Sequence, residues 1–319
     1  MNTTVAAFLL ASALGQPLSE ISTRKSDVVY GRKHGMALTM DVLTPKENAN
    51  GVGIIWAAAG GWYSAHQMVT GEGANSPIAP LVRRGYTVFG VVMGSQPKFT
   101  IPELVDDLNR ATRYIRANAA EYKIDPDRIG VTGGSAGGHL SLMLATAGQP
   151  GNPEAKDPID KMSSRVQATA VFFPPTDFLN YGKEGENAVG RGVLKDFRAP
   201  FDFHKLVKSN EGLFGGQTFE RITDEDEILK IAKDISPLNH VSADDPPALI
   251  IHGDADLLVP IQQAEIFKTK MQDVGATAEI IVRPGAAHSW ETLGDDWSLI
   301  ADWFDKHLLK KMPAETPAK

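Results

Sequence analysis

Ser135 stands in the run Gly-Gly-Ser-Ala-Gly at 133–137, between a β-prone stretch and a helix-forming segment. A Gly-x-Ser-x-Gly turn between a strand and a helix holds its serine in a strained backbone conformation and exposes the hydroxyl. The backbone N–H of Ala136, at the start of the helix, then points to where an oxyanion develops. The motif indicates a nucleophilic serine and acyl transfer, although it is short enough to occur by chance.

Candidates for an acid and a base follow Ser135 along the chain. Asp254 and Asp256 lie in a polar turn after the apolar run 247–251, and His288 follows the run 278–282. Ligands of open α/β sheets bind at the carboxyl ends of the strands, so we expect these side chains to meet Ser135 there. The order Ser, Asp, His is the one that accompanies a nucleophile elbow. The residues alone leave both aspartates open as the acid.

Strands and helices alternate in the sequence that must position these groups. A hairpin is predicted from 27–31 and 37–43, and further strands at 53–57, 86–92 and 166–173. An apolar stripe at helical spacing predicts a helix over 105–119, with Asp106 and Asp107 on its solvated face. This rhythm predicts an α/β fold with a mostly parallel, doubly wound sheet and helices on both faces.

The chain resembles the α/β-hydrolase fold serine esterases of the esterase/lipase branch. It is most similar to feruloyl and acetylxylan esterase-like enzymes, with hormone-sensitive-lipase-like esterases nearby. The resemblance spans roughly residues 28–309 and is strongest at 124–139, 252–256 and 285–288. The family motif His-Gly, two spacers, Asp, two spacers, Val-Pro falls on 252–260, which implies Asp256 as the triad acid. The implied catalytic set is Ser135, Asp256 and His288.

The resemblance also implies the position of an oxyanion hole. Relatives carry His-Gly-Gly-Gly-Trp after the strand at 53–57, and this chain has Ala-Ala-Gly-Gly-Trp at 58–62. The implied donors are the backbone N–H groups of Gly60 and Gly61, together with that of Ala136. We expect Trp62 and Tyr63, which follow the glycines, to bind substrate.

Ala58 is the departure from this pattern, because it stands where relatives have the histidine. Backbone amides supply the oxyanion donors, so losing the histidine side chain removes none of them. The change removes a support for the shape of the loop.

Residues 180–235 are longer than a simple strand connection and predict a cap or lid insertion. Five phenylalanines of this region either build an acyl or aromatic pocket above Ser135 or pack the cap onto the body: Phe197, Phe201, Phe203, Phe214 and Phe219. The acidic residues at 224–227 suit the amino terminus of a helix.

The composition fits a single globular enzyme. With 319 residues, 42% of them hydrophobic, residues 16–319 can form one domain. A net charge of -7 and the lack of a basic run argue against nucleic acid as a partner. The absence of cysteine excludes disulfides, thiolate metal sites and a cysteine nucleophile.

No histidine spacing predicts a metal site, and no cofactor is required. We expect His66 at the surface, and His139 and His252 in structural roles.

The apolar run 5–15 predicts a removable export signal at residues 1–15, and therefore a secreted or periplasmic protein. The lysine or arginine that normally precedes such a run is missing, so an apolar arm on a cytoplasmic protein is the alternative. No later run has the length and apolarity of a membrane helix.

These observations together predict a serine carboxylesterase that hydrolyses short-chain or carbohydrate-linked esters, of acetyl or feruloyl type, through an acyl-enzyme. The expected partner is a small-molecule or saccharide ester, and the oligomeric state stays open. One alternative is a serine peptidase resembling prolyl oligopeptidases, although the chain is too short for their propeller domain. The other is a non-catalytic binding protein with a hydrolase fold, and the altered oxyanion loop is the only feature of the sequence that favours it.

Overall fold

An eight-stranded sheet forms the centre of the computed structural model, which describes residues 16–71, 77–209 and 216–309. Its strands are β1 (Ser22–Lys33), β2 (Met36–Pro45), β3 (Gly53–Ala57), β4 (Thr87–Val91), β5 (Ile129–Gly134), β6 (Ala168–Phe172), β9 (Ala248–Gly253) and β10 (Ala278–Arg283). The strand order is β1-β2-β4-β3-β5-β6-β9-β10, and the last six strands in that order run parallel. A separate antiparallel pair is formed by β7 (His204–Ser209) and β8 (Gly216–Arg221). The predicted opening hairpin corresponds to β1 and β2.

Helices cover both faces of the sheet, as the alternating sequence predicts. They are α1 (Leu18–Ile21), α2 (Ala79–Arg83), α3 (Ile101–Ala117), α4 (Ala136–Ala147), α5 (Glu225–Asp234), α6 (Gln262–Asp273) and α7 (Leu293–Leu308). Short 3-10 turns occur at His66–Met68, Pro158–Lys161, Gly192–Phe197, Ala199–Phe201 and Pro237–His240. Ile55 and Val131 pack on the side of α3 and α4, whereas Ile54 packs on the side of α2 and α7. None of the helices in the described part of the chain has the length and apolarity needed to span a bilayer.

Helix α3 begins with a capping box in which the Thr100 N–H donates to Glu103 Oε2 at 2.7 Å. Its apolar stripe faces the core as predicted, since Leu108 and Ile115 are buried. The placement of Asp107 on a solvated face was wrong. Asp107 is only 4% exposed, and its carboxylate accepts from Lys33 Nζ at 2.6 Å and from Gly94 N–H at 2.7 Å. Helical periodicity alone places Asp107 on the solvated face of α3. In the structure Lys33, which is distant in sequence, pairs with this buried carboxylate.

The chain between β6 and β9 contains the region predicted as an insertion. Helix α5 begins there at the acidic run, and Asp224 caps it by accepting from Glu227 N–H at 2.8 Å. Phe201 and Phe203 are buried in the main core, so they pack the segment onto the body. Phe219 is exposed on the β7–β8 pair. Phe214 and the predicted signal at 1–15 lie outside the described residues.

Two of the glycines around Ser135, Gly133 and Gly137, are required by close backbone contacts. A Cβ atom on Gly133 would lie 2.5 Å from the Gly137 carbonyl carbon, and one on Gly137 would overlap Ala57 O. Gly134 is different, because its nearest neighbour would be a Phe173 ring carbon at 3.6 Å. The start of α4 therefore packs directly against the backbone of β3 and β5.

We expect Gly133→Ala to lower the free energy of unfolding by about 1 to 3 kcal/mol, since overpacked cores lose this amount when the backbone must shift. Gly134→Ala is the matched control, and it should stay within about 1 kcal/mol of wild type. Urea unfolding of the three proteins measures the difference. Equal stabilities of the two variants would contradict the close approach.

Candidate active site

Ser135 occupies the turn between β5 and α4 with φ 53° and ψ -120°. This positive φ is unfavourable for a residue with a side chain, so the surroundings must hold it. The Ser135 N–H donates to Phe172 O at 3.0 Å, and the Ser135 carbonyl accepts from His139 N–H at 2.8 Å. The backbone on both sides is thus fixed, and the hydroxyl lies at the carboxyl edge of the sheet.

The structure brings Ser135, His288 and Asp256 into one hydrogen-bonded chain. His288 Nε2 lies 2.9 Å from Ser135 Oγ, and His288 Nδ1 lies 2.7 Å from Asp256 Oδ2. A carboxylate can only accept, so Nδ1 carries the proton and Nε2 accepts from the serine hydroxyl. The arrangement has the nucleophile, the base and the group that orients the base in sequence.

The geometry distinguishes Asp254 from Asp256, which the sequence motifs alone left as two candidates for the acid. Asp254 is exposed, and its carboxylate accepts from Gly285 N–H at 2.6 Å, which closes the neighbouring turn. Asp256 is buried and accepts from the N–H groups of Leu258 and Val259, both at 2.9 Å, through the oxygen that His288 does not use. Asp254 therefore supports the turn, and Asp256 contacts the histidine.

The carboxyl of Asp256 is held in its charged form. Burial acts to raise its pKa, but hydrogen bonds from His252, His288 and Val259 N–H together keep the pKa well below its usual value. His252 is fully buried next to it, with Nε2 2.8 Å from Val259 O and 3.4 Å from Asp256 Oδ2. The expected structural role of His252 agrees with these local contacts.

The loop that carries His288 is anchored on both sides by Asp296 of α7. Arg283 donates to both carboxylate oxygens of Asp296, with Nε 2.8 Å from Oδ2, and Trp290 Nε1 donates to Oδ2 at 2.9 Å. The Phe173 ring packs against the His288 ring with a centroid distance of 4.5 Å. Sequence reasoning missed Asp296, although Arg283 and Trp290 flank His288 closely enough to suggest a common partner.

The oxyanion loop differs from the expectation at Gly60. Its N–H donates to Tyr63 O at 3.0 Å and its carbonyl accepts from Tyr63 N–H at 2.9 Å, so this donor is occupied within the loop. Across the described ranges 16–71, 77–209 and 216–309, no protein acceptor bonds the N–H of Gly61 or of Ala136. Of the three predicted donors, Gly60 thus bonds within the loop, whereas Gly61 and Ala136 have no acceptor among the described residues.

Hydrogen bonds hold the loop that has alanine at position 58. Ser64 is buried, and its hydroxyl donates to Ala58 O at 2.7 Å while it accepts from Met93 N–H at 3.1 Å. A further bond joins the loop to the elbow helix, since Gly137 N–H donates to Ala59 O at 3.2 Å. These contacts support the loop from below and from the side of α4.

Trp62 does not occupy the substrate-contacting position expected for it. Its side chain is 2% exposed, lies outside the cavity wall, and donates from Nε1 to His139 Nδ1 at 3.1 Å. The indole turns inward because it packs against the buried rings of Phe178 and Phe201. Tyr63 is 43% exposed and also lies outside the cavity wall.

A cavity of about 560 Å³ opens at Ser135. Its wall is almost entirely apolar apart from Ser135 and His288, which suits an acyl chain or an aromatic ring. The lining residues are Trp56, Ala57, Ala58, Ala59, Gly60, Gly61, Met68, Pro77, Gly134, Ser135, Phe173, Phe197, Leu258, His288 and Trp297. Of the phenylalanines discussed for the insertion, Phe197 lines the cavity.

Among the residues that the structure describes, one group of three has metal-ligand geometry. His66 Nδ1 lies 3.5 Å from Asp27 Oδ1 and 3.9 Å from Asp41 Oδ1. Arg24 NH1 donates to Asp41 Oδ2 at 2.8 Å and to Val69 O at 2.7 Å, so a guanidinium already neutralises the buried carboxylate. This group lies outside the wall of the cavity at Ser135.

Comparison with known proteins agrees with this architecture. Residues 40–271 match the protein family described as BD-FAE. The chain belongs to the BD-FAE family. A truncated carbohydrate esterase from gut microbiota superposes with a TM-score of 0.70 at 26% identity, covering 91% of this chain and 98% of that one. The acetyl ester-xyloside bifunctional hydrolase from Caldicellulosiruptor lactoaceticus, at 20% identity and a TM-score of 0.67 over 88% and 96% of the chains, shares the fold.

These similarities confirm the α/β-hydrolase fold and the resemblance to the esterase/lipase branch. A curated relative is the probable carboxylic ester hydrolase LipM of Mycobacterium tuberculosis (strain ATCC 25618 / H37Rv). It is 28% identical over 272 residues, which cover 84% of this chain and 56% of LipM. The BD-FAE chain thus spans little more than half the length of this relative.

Replacing Asp296 by asparagine tests the anchor of the His288 loop. The change weakens the paired bonds from Arg283, and we expect a loss of about 1 to 3 kcal/mol in the free energy of unfolding. Asp295→Asn removes the same charge from an exposed position in the same helical turn. Denaturant unfolding should show a clear loss for the first variant alone, and equal losses would argue against the anchor.

The stability of the protein should also depend on His139. Burial lowers the pKa of His139 from 6.5 to about 4, and the hydrogen bond to Ile235 O opposes this shift only in part. Between these two pH values the unfolded chain binds a proton that the folded protein excludes. The contribution of the neutral His139 to the free energy of unfolding is therefore complete above pH 6.5 and is lost as the pH falls toward 4.

Over that interval the wild-type free energy of unfolding should fall by about 3 kcal/mol more than that of His139→Gln, which cannot titrate. Urea unfolding of both proteins at intervals between pH 7 and pH 4 measures this difference. Parallel pH dependences would show that His139 does not stay neutral in the fold.

Proposed function

We propose that the protein is a serine carboxylesterase that works through an acyl-enzyme. The observation that carries this proposal is the continuous hydrogen-bonded chain from Ser135 through His288 to Asp256, at the mouth of an apolar cavity. Family membership and the similarity to a probable carboxylic ester hydrolase support the same chemistry.

In the first step His288 Nε2 takes the proton of the Ser135 hydroxyl as its oxygen attacks the ester carbonyl carbon. The carbonyl oxygen becomes an oxyanion, and the N–H groups of Gly61 and Ala136, which have no acceptor among the described residues, are the donors available to it. The charged carboxylate of Asp256 stabilises the imidazolium of His288. His288 then gives the proton to the leaving alcohol as the carbon–oxygen ester bond breaks.

The second step releases the acid from the acyl-enzyme. A water molecule loses a proton to His288 Nε2 and attacks the acyl carbon, and the same two N–H groups hold the second oxyanion. When this intermediate collapses, the bond to Ser135 Oγ breaks and the serine regains its proton from His288. The pairing of Asp256 with His288 is needed in both steps, because each passes through an imidazolium.

The apolar cavity favours the proposal that the substrates are esters with short-chain or aromatic acyl groups. Apart from Ser135 and His288 its wall offers few polar side chains, which favours neutral groups over charged ones. The two structural neighbours described above are named for carbohydrate-ester chemistry, so we extend the proposal to acetyl or feruloyl groups on saccharides. A panel of nitrophenyl esters of increasing chain length, acetylated xylan and methyl ferulate would rank these classes.

Replacing Ser135 by alanine should reduce the hydrolysis of p-nitrophenyl acetate by about 10⁴- to 10⁶-fold, since a triad without its nucleophile retains only the binding contribution. Ser298→Ala, on an exposed residue of α7, is the control and should keep wild-type turnover. Labelling by a fluorophosphonate probe should disappear in the first variant alone.

Near-normal hydrolysis by Ser135→Ala would contradict the assignment of Ser135 as the nucleophile. Wild-type protein that is neither labelled nor active on any ester would favour the non-catalytic binding protein. Faster cleavage of aminoacyl nitroanilides than of the matching esters would favour the peptidase.

A further inference from the structure

A buried chain of hydrogen bonds links the oxyanion loop, the elbow helix and the segment between β6 and β9. Trp62 Nε1 donates to His139 Nδ1 at 3.1 Å, and His139 Nε2 lies 2.7 Å from Ile235 O. Because Nδ1 accepts from the indole, the single proton of the neutral ring must be on Nε2, where it is donated to the carbonyl. Both contacts are satisfied only by a neutral imidazole with this tautomer.

Aromatic packing leaves these polar groups without an alternative partner. Trp62, His139 and Ile235 are all buried, and the Phe178 ring lies 5.8 Å from the Trp62 ring and 5.1 Å from the His139 ring. Water cannot replace a bond that is broken here, so a buried donor left alone is costly. The Trp62 indole is therefore held in one place.

The position of this indole matters for the neighbouring residue, Gly61. Gly61 and Trp62 have φ values of 53° and 59°, and such a conformation is unfavourable for tryptophan without support. Gly61 and Ala136 each have an N–H group without an acceptor in the described part of the chain, and Ala136 lies three residues before His139 on α4. The Trp62–His139 bond thus joins the two chain segments that carry these donors.

We propose that His139 is a positioning residue for the oxyanion hole, because through Trp62 it fixes the Gly61 N–H relative to the Ala136 N–H. This inference rests on the proposed esterase function. His139 would act without touching the substrate. Trp62, which faces inward and does not line the cavity, would hold the loop instead of binding substrate.

The decisive variant is Trp62→Phe, which keeps an aromatic ring and removes the N–H. A displaced oxyanion donor affects the transition state more than the bound substrate, so kcat for nitrophenyl acetate should fall about 10- to 100-fold while KM changes less than about threefold. The inhibition constant of a boronic acid, whose tetrahedral adduct places an oxygen in the oxyanion hole, should rise by the same factor as kcat/KM falls.

His139 is tested by two replacements. His139→Leu removes the acceptor and should lower kcat as Trp62→Phe does, whereas His139→Gln retains an acceptor and a donor and should restore part of the activity. Since each single change breaks the Trp62–His139 bond, the double variant Trp62→Phe/His139→Leu should be little slower than either single variant. Phe178→Leu is the packing control: it should lower the unfolding temperature but leave kcat within about threefold of wild type.

The outcomes separate this inference from the proposed function. An active, boronate-binding wild type with unchanged kcat in folded Trp62→Phe would overturn the positioning role alone. Equal kcat losses in Phe178→Leu and Trp62→Phe would also overturn it, because general loosening of the ring cluster would then explain both. A wild type without esterase activity or boronate binding would instead remove the proposed function on which the inference rests.

Discussion

The direct contact between the start of α4 and the ends of β3 and β5 is the constraint on which the site depends. Gly137 lies so close to Ala57 O that no side chain fits, and its N–H bonds Ala59 O in the oxyanion loop. This contact brings the Ser135 turn and the loop after β3 to the same edge of the sheet. The positive φ of Ser135 is tolerated because the surrounding backbone is fixed by these contacts.

Two carboxylates near this contact, those of Asp256 and Asp296, are buried and paired rather than solvated. Asp256 accepts from His288 and from two backbone amides, and Asp296 accepts from Arg283 and Trp290. In an environment of low polarity such bonds hold their geometry, because breaking one leaves a group that water does not reach. A site built this way is arranged before substrate binds, which is what stabilisation of a developing charge requires.

The sequence predicted strands of the main sheet, the elbow and the order of the three residues at Ser135, because each has a local pattern: alternation of apolar residues, closely spaced glycines, and polar residues after strands. It did not predict that Asp107 is buried or that Trp62 turns inward. Both outcomes depend on partners far away in the chain, Lys33 for the aspartate and His139 for the indole. Periodicity describes one element at a time, so it cannot show which element supplies the neutralising group.

The substitution at position 58 shows how such distant partners replace a local motif. At this position, where the family resemblance implies a histidine, Ala58 lines the cavity and only its backbone makes polar contacts. Its carbonyl accepts from the hydroxyl of Ser64, and its N–H donates to Val91 O. In this chain the Ser64 side chain supports the loop from beneath, and the Trp62–His139 bond supports it from the side. Backbone donors need a fixed loop and no particular side chain, so different sets of buried contacts can produce the same oxyanion geometry.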